Sequence, residues 1–286
     1  MRGIERAVVL TNHQVEGTEA AIARLLELAP GHGVELLFDA DETARHRMVA
    51  REGVRTNVEL TDADPDIVIV FGGDGTTLRA LRTYAGTGVP TFSVNYGTIG
   101  FLTTVEADML ESGLERAMAG DYDELRLPAL RLHDGKLDSL SINDLAFDRP
   151  RDARVAELAY TLNGAPIGQV RCDGLVVSTP AGSTGYNLAN NGPILAWGVE
   201  GFVVSFIAPH TLTARAMVAA PADVLEVKNV GKRDPVEILI DGRMVGELIV
   251  GDSAKVTFED DLATLAQVPG SSFYQRFREK FGKLAS

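Results

Sequence analysis

Hydrophobic and polar positions follow two different rhythms along this chain of 286 residues, and the change falls near Leu125. Before it, short apolar runs alternate with stretches of helical spacing. RAVVLTN reads as a strand. GTEAAIARLLELA, residues 17–29, repeats apolar positions at helical spacing until Pro30-Gly31, which should break the pattern. VELLFD and DPDIVIVF follow as strands, the latter apolar throughout, as expected of a strand covered on both faces. TTLRALRTYAG reads as a helix ended by Gly86, VPTFSVNYG as a strand, and residues 107–119 as a short helix before Gly120. Such alternation predicts an open, mostly parallel α/β sheet.

After Leu125 the helical spacing disappears. LPALRLHDG, KLDSLSINDLAFDR, ELAYTLNGAPIGQVR, DGLVVSTP, VEGFVVSFIAP, DVLEVKN, PVEILIDGR and AKVTFED are strand-like pieces between turn residues, with Asn163-Gly164 as a hairpin turn. This half predicts an antiparallel sheet or sandwich. SSFYQRFREKFGKL closes the chain as an amphipathic helix with Phe273, Phe277, Phe281 and Leu284 on one face, a packing stripe that returns it to the body. The expected organisation is an α/β domain over 1–125, an all-β domain over 126–268 and a C-terminal helix over 269–286.

Composition narrows the classes. Hydrophobic content of 45% and charged content of 23% suit a globular protein able to bury a core without staples. The net charge of −13 argues against a general nucleic-acid binder, which needs a basic stripe to displace counterions. It leaves room for a small anionic ligand held by a few cations and main-chain N–H groups. No apolar run approaches the roughly 20 residues that span a bilayer, and the N-terminal apolar run is too short and too flanked by charge for a signal peptide. Cys172 stands alone, so no intrachain disulfide forms; it reads as a small inert apolar residue. A reducing, cytoplasmic setting is the expectation. His13, His32, His46 and His133 show no metal-ligand spacing.

The chemistry begins at IVIVFGGDGTTLRA, residues 67–80, where a buried strand ends in Gly72-Gly73-Asp74-Gly75. Ligands of open parallel sheets sit beyond the carboxyl ends of the strands. Glycines there admit φ > 0 and let a bulky ligand approach the backbone. Thr76 and Thr77 open a helix whose unpaired N–H groups attract phosphate. Asp74 could accept a proton from a hydroxyl nucleophile, bind that hydroxyl, or hold a metal through water. The plainer alternative is a tight turn with Asp74 as helix cap. No Walker A and no dinucleotide G-x-G-x-x-G pattern is present.

A second signal lies at 171–195, RCDGLVVSTPAGSTGYNLANNGPIL. A strand enters a run of glycines and hydroxyl residues with Tyr186 as an aromatic face, which suits a nucleoside; a purely structural loop is the alternative. Asp173 at the strand entry could hold a ribose or an amide.

Taken in order, GGDGT at 72–76, NYGTIGFL at 95–102, IND at 142–144, DGLVVSTPAGSTGYNLANNGPI at 173–194 and PHTLTAR at 209–215 resemble the NAD kinase family of bacterial and archaeal type over nearly the whole chain. GGDG alone is shared with lipid kinases and phosphofructokinases; the STPAGSTGYN motif is far more specific. The resemblance implies an α/β domain joined to a β-sandwich, and transfer of a phosphoryl group from ATP or polyphosphate, with Mg²⁺, to the 2′-hydroxyl of the adenosine ribose of NAD. It further implies a homodimer or homotetramer with NAD between the domains. By resemblance, Asp74 orients or deprotonates the hydroxyl, and Gly72, Gly73, Gly75 and Thr76 form the donor loop. Gly75 also lies against NAD, and Arg79 matches a basic position one turn on. Asn143 and Asp144 match the pair that binds adenosine and ribose, and Arg171 and Asp173 match positions near the nicotinamide end, from the other subunit. Thr184, Gly185, Tyr186, Asn187, Leu188 and Ala189 match the loop around the adenine, and Ala208 a pocket-wall position. Arg243 departs from the family, where many members carry Gln; it reads as surface charge, with a phosphate contact as its alternative. His210 reads as a structural histidine, with a role near the transfer site as its alternative.

Two competing readings share the scaffold. A GGDG lipid kinase would use Asp74 on a lipid hydroxyl, but the STPAGSTGYN loop and the lack of a basic amphipathic membrane helix argue against it. A sensor of NAD or NADP would bind without turnover.

Overall fold

The computed structural model describes residues 3–12, 17–97 and 100–282. His13, Thr98, Ile99 and Leu284, which figure in the expectations above, lie outside the described residues. The chain divides into two compact units, Met1–Arg126 with Leu262–Ser286, and Leu127–Asp261.

The first unit runs β1 (Arg6–Thr11), α1 (Glu19–His32), β2 (Glu35–Leu37), α2 (Ala40–His46), β3 (Val54–Arg55), β4 (Ile67–Gly72), α3 (Asp74–Thr83), β5 (Pro90–Asn95), β6 (Val105–Glu106) and α4 (Leu110–Ala119). The order β5-β4-β1-β2-β3 is parallel throughout. Every residue of β4 and β5 is buried; β4 is accordingly apolar without alternation, whereas β5 alternates Phe92 and Val94 with the buried polar residues Thr91, Ser93 and Asn95. Helix α1 continues through Pro30-Gly31 to His32, against the break expected there; the proline falls in the last turn and costs one ladder bond, and Gly33 at φ 69° ends the helix. Helix α2 was not foreseen. Its seven residues carry no apolar stripe; instead Asp39 caps it, accepting from the Glu42 N–H at 2.7 Å.

The second unit takes over within β7 (Asp123–His133), at Leu127, and continues with β8 (Asp138–Ser141), β9 (Asp144–Asp148), β10 (Ala156–Leu162), β11 (Ala165–Cys172), β12 (Gly174–Ser178), α5 (Tyr186–Ala189), β13 (Phe202–Ile207), β14 (Met217–Ala219), β15 (Leu225–Asn229), β16 (Val236–Ile240), β17 (Arg243–Leu248) and the first part of β18 (Ser253–Gln267). One sheet has the order β11-β10-β15-β18, with β7 on β18 and β8 on β7; the other is β14-β13-β12-β9-β16-β17. All pairings given among these strands are antiparallel. Leu132, Leu158, Leu225, Val227 and Val256 of the first sheet share one core with Phe147, Leu175, Val177, Phe202, Val204 and Ile238 of the second, which makes the unit a sandwich. Asn163 and Gly164 take φ 51° and 78°, as a two-residue hairpin requires.

Residues 262–268 belong to the first unit and not, as expected, to the second. The 15-residue β18 crosses the division without a break: Ser253–Val256 pair with β15, and Thr264 and Leu265 pair in parallel with Pro90 and Thr91 of β5. Nothing in AKVTFEDDLATLAQ marks that handover. Helix α6 (Phe273–Phe281) then packs within the first unit, with the Phe101 ring 6.5 Å from Phe273 and 5.6 Å from Phe281.

Candidate active site

In the first unit, β4 delivers Gly72 and Gly73 to the start of α3, with Gly73 as the capping residue and Asp74 as the first residue of the helix. The glycines act through space, not through left-handed backbone as expected: Gly72, Gly73 and Gly75 are absent from the positive-φ residues. A Cβ on Gly72 would lie 2.6 Å from Thr76 Oγ1, and one on Gly97 would lie 3.1 Å from Gly73 Cα. A Cβ on Gly75 would meet no atom within 4 Å, so the turn is open there.

Asp74 does not cap its own helix. Its Oδ2 accepts from the Phe101 N–H at 2.9 Å and its Oδ1 from the Leu102 N–H at 3.0 Å. The cap alternative is thereby replaced: two amides of a neighbouring segment hold the carboxylate instead. Burial raises the Asp74 pKa, and the two amides, with Arg276 and Lys280 further off, offset only part of that. The result is a fixed carboxyl with an affinity for protons above the ordinary value. Thr77 Oγ1 bonds the Gly73 carbonyl at 3.1 Å and Ser93 Oγ at 2.7 Å, which ties α3 to β5.

Arg79, one turn on, is turned toward α2. Its Nη2 donates to Glu42 Oε1 at 2.8 Å. Glu42 has no exposed surface, and also accepts from the Thr11 N–H at 3.0 Å, Thr11 Oγ1 at 2.6 Å and Arg45 Nη1 at 2.6 Å. Burial pushes this carboxyl up, but the bonds from Thr11, Arg45 and Arg79 outweigh it and hold the pKa below its usual value. Sequence reasoning missed Glu42, because a helix with a buried carboxylate and no apolar stripe gives no signal at helical spacing.

In the second unit, β9 and β12 lie side by side with Asp144 opposite Ser178 and Asp148 opposite Gly174. Asn143 precedes β9. Its N–H donates to Asp241 Oδ1 at 2.8 Å, its carbonyl accepts from the Thr179 N–H at 2.9 Å, and its side-chain Oδ1 has no hydrogen-bond partner. Asp144 is buried, and its pKa is pushed up to about 7 by burial first and then by the nearby charges of Asp241 and Asp148, against a hydrogen bond from the Tyr186 N–H. Tyr186 Oη donates to Asp148 Oδ2 at 3.1 Å. Burial also raises Asp148, and the Tyr186 hydroxyl offsets part of that. Asp144 and Asp148 stand on one face of β9 by strand alternation; the spacing in INDLAFD was the signal by which Asp148 could have been found.

The STPAGSTGYN loop is held tightly. Gly182 sits where a Cβ would come within 2.0 Å of the Asn143 carbonyl oxygen. Asn187 is buried, donating from Nδ2 to the carbonyls of Ser183 at 3.0 Å and Pro193 at 2.9 Å, so its side chain braces the turn. Thr184, Tyr186 and Leu188 are half-buried, whereas Gly185 and Ala189 are exposed. Asp173 forms a fork with Arg149, Nε to Oδ1 at 2.8 Å and Nη2 to Oδ2 at 3.3 Å, and the Arg149 partner holds its pKa below the ordinary value. Arg171 is exposed and reaches Glu157 at 3.3 Å. Ala208 is exposed at φ 42°, and the His210 N–H donates to the Arg171 carbonyl at 2.7 Å. Arg243 is exposed at the start of β17. Cys172 is buried, its thiol pushed up to about 12 by burial, which leaves it unreactive. Among the described residues no group of three or more His, Cys, Asp or Glu side chains could hold a metal ion, and no helix is long and apolar enough to cross a membrane.

Comparison with known proteins sets these residues in context. Residues 31–122 match the ATP-NAD kinase N-terminal domain and residues 142–265 the ATP-NAD kinase C-terminal domain. The chain is 33% identical to an NAD kinase of Acidobacterium capsulatum over 97% of its own length and 98% of that protein. It is 33% identical to an NAD kinase of Gemmatimonas aurantiaca over 97% and 96%. Among solved structures it resembles yeast NADH kinase complexed with NADH, with a TM-score of 0.89 at 18% identity over 100% of this chain and 89% of that one. It also resembles an NAD kinase from Archaeoglobus fulgidus in complex with ATP, with a TM-score of 0.72 at 24% identity over 98% of both. At these identities the structural likeness speaks for the fold.

Proposed function

The chain belongs to the NAD kinase family, and from that premise we propose that it moves a phosphoryl group from ATP to the 2′-hydroxyl of the adenosine ribose of NAD, giving NADP, with Asp74 as the group that orients the hydroxyl and takes its proton. The observation that carries the role of Asp74 is its setting: a desolvated carboxylate pinned through both oxygens by the Phe101 and Leu102 amides, at a strand end walled by glycines. Burial strengthens it as a base, and pinning fixes its direction. Phosphoryl transfer needs little covalent help and much positioning, so a fixed carboxylate beside an open glycine turn suits it. The first turn of α3 offers the main-chain N–H of Gly75 to the donor phosphates, with Thr76 beside it, its own N–H bonded to the Gly73 carbonyl at 3.1 Å.

In the second unit, the unpartnered Asn143 Oδ1 suits an adenine amino group, and Asp144 suits ribose hydroxyls. Tyr186, anchored through Asp148, supplies an aromatic face, Thr184 to Ala189 and Ala208 line the adenosine side, and Arg171 and Asp173 of the other subunit meet the nicotinamide end. Arg79, fixed by Glu42, adds positive charge one turn into α3. The described residues provide no ready cage for a divalent ion, and this donor set fits one carried on the phosphates of the donor, where it neutralises their charge. A homodimer or homotetramer is part of the same reading.

The test is NADP formation from NAD with Mg²⁺, run with ATP and in parallel with polyphosphate, and with Asp74→Asn as control. Product that vanishes in the variant supports the reading and names the donor. Binding of NAD without product from either donor overturns it in favour of a sensor.

A further inference from the structure

Helix α6 does more than lay an aromatic stripe on the first unit. Its Arg276 sits half-buried between Phe273 and Phe277, on the side that meets residues 101–103. The guanidinium donates from Nη1 to the carbonyl oxygens of Phe101, at 3.1 Å, and of Thr103, and from Nη2 to Gln267 Oε1 at 2.5 Å. The N–H groups of Phe101 and Leu102, in the same short segment, are the two that hold Asp74. Thus the segment is gripped on its carbonyl side by Arg276 and grips Asp74 on its amide side. Phe101 and Leu102 are themselves buried, at 6% and 1% exposure, so the segment has little freedom to shift once its carbonyls are fixed.

A cation is an expensive way to brace a loop. Partial burial works against its charge, and burial is the first cause of the lowered Arg276 pKa, opposed by Asp74, Glu279 and Glu106. Methionine or leucine would fill the same volume beside the phenylalanines without that cost. What they would not supply is a set of charge-assisted bonds to the Phe101 and Thr103 carbonyls, or a positive charge close enough to act on Asp74.

We propose that Arg276 is a positioning residue for the transfer reaction, fixing the Phe101–Thr103 segment and, through its amides, the direction of the Asp74 carboxylate. The proposal rests on the reading of Asp74 as the partner of the attacking hydroxyl. It gives the C-terminal helix a part in the chemistry, although α6 contributes no side chain to the assigned substrate contacts.

The experiment is a rate cycle on the full-length chain with Arg276→Met, Arg276→Lys, Asp74→Asn and the double variant R276M/D74N, with Phe277→Leu, whose ring packs on Phe273 and Phe281, as a control that loosens the same helix. Arg276→Met should lower kcat about 10–100-fold, the scale of a displaced reacting group, with KM for NAD changed less than about threefold, and Arg276→Lys should recover part of the loss. In the Asp74→Asn background, Arg276→Met should cost almost nothing more, because its effect passes through Asp74. An equal loss in that background, or an equal fall in kcat for Phe277→Leu at matched loss of Tm, overturns the proposal: Arg276 would then only dock the helix. If Arg276→Met does not fold, Arg276→Lys carries the same comparison. Normal turnover by Asp74→Asn alone would instead overturn the parent reading of Asp74, an outcome separate from either of these.

Discussion

Asp74 and Asp144 are both carboxyls whose pKa burial has raised, but their surroundings assign them different work. Asp74 keeps two amide donors, so its charged form stays oriented while its proton affinity rises. Asp74→Asn should lower kcat at least about a hundredfold, within the range general-base groups contribute, while NAD binding measured by titration stays within a few-fold of the parent. The acid limb of kcat/KM should also lie above the usual carboxylate range; activity that persists undiminished to about pH 4 would count against Asp74 as base. Asp144 faces Asp241 and Asp148, and burial together with those charges pushes its pKa in the folded protein up to about 7, well above the ordinary carboxylate value. The folded state therefore holds this proton more tightly than the unfolded chain. That contribution to stability is complete below the unfolded value and is lost as pH rises through the folded one. Asp144→Asn should remove the loss: Tm at pH 8 should rise by about 2–4 °C and fall less steeply between pH 5 and 8, while NAD binding weakens. A thermal melt at each pH checks both.

At the scale of elements, the turn at 182–184 shows how one glycine sets a loop. The space at Gly182 is closed by the Asn143 carbonyl, so Gly182→Ala must push the loop and the start of β9 apart. The expected cost is about 1–3 kcal/mol in denaturant unfolding, the range for overpacking, with weaker NAD binding because Asn143 moves as well. Unchanged stability would mean that the loop has another seat. The strands β1, β4, β12 and β13 were legible because they are buried along all or nearly all their length, and their largely apolar sequence does not depend on which neighbour covers them. Helix α2 and strand β17 were not. The first buries a carboxylate as its central contact, and the second is an edge strand with Arg243, Met244 and Val245 all exposed, so neither has the pattern its type usually shows.

For the whole molecule, the consequence of β18 is that the first unit is completed only by the end of the chain. Residues 262–267 supply the partner of Pro90 and Thr91, Ala266 accepts from Thr104 Oγ1 at 2.8 Å, and Thr264 accepts from Arg126 at 2.9 Å. A chain stopped at Arg126 lacks all of these and leaves an edge of β5 open. It should bind a hydrophobic dye and unfold without a sharp transition, and adding a peptide of residues 262–286 should restore part of the cooperativity. A fragment that melts as sharply as the intact chain would show that the first unit is self-sufficient.

What the sequence by itself determined is what is local or repeated: the α/β rhythm before Leu125, the strand rhythm after it, the Asn163-Gly164 turn, and the motifs that resemble the NAD kinase family. Burial and chain reversal impose those patterns on neighbouring residues, so they can be read in one dimension. Only the tertiary structure decided who holds whom. That Asp74 is gripped by Phe101 and Leu102, that Arg276 braces their segment from the far end of the chain, that Glu42 fixes Arg79, and that β18 is shared by the two units all depend on contacts between residues distant in sequence. Hydrogen bonds of this kind need only one donor and one acceptor in the right place, and so leave no periodic trace in the residues around them.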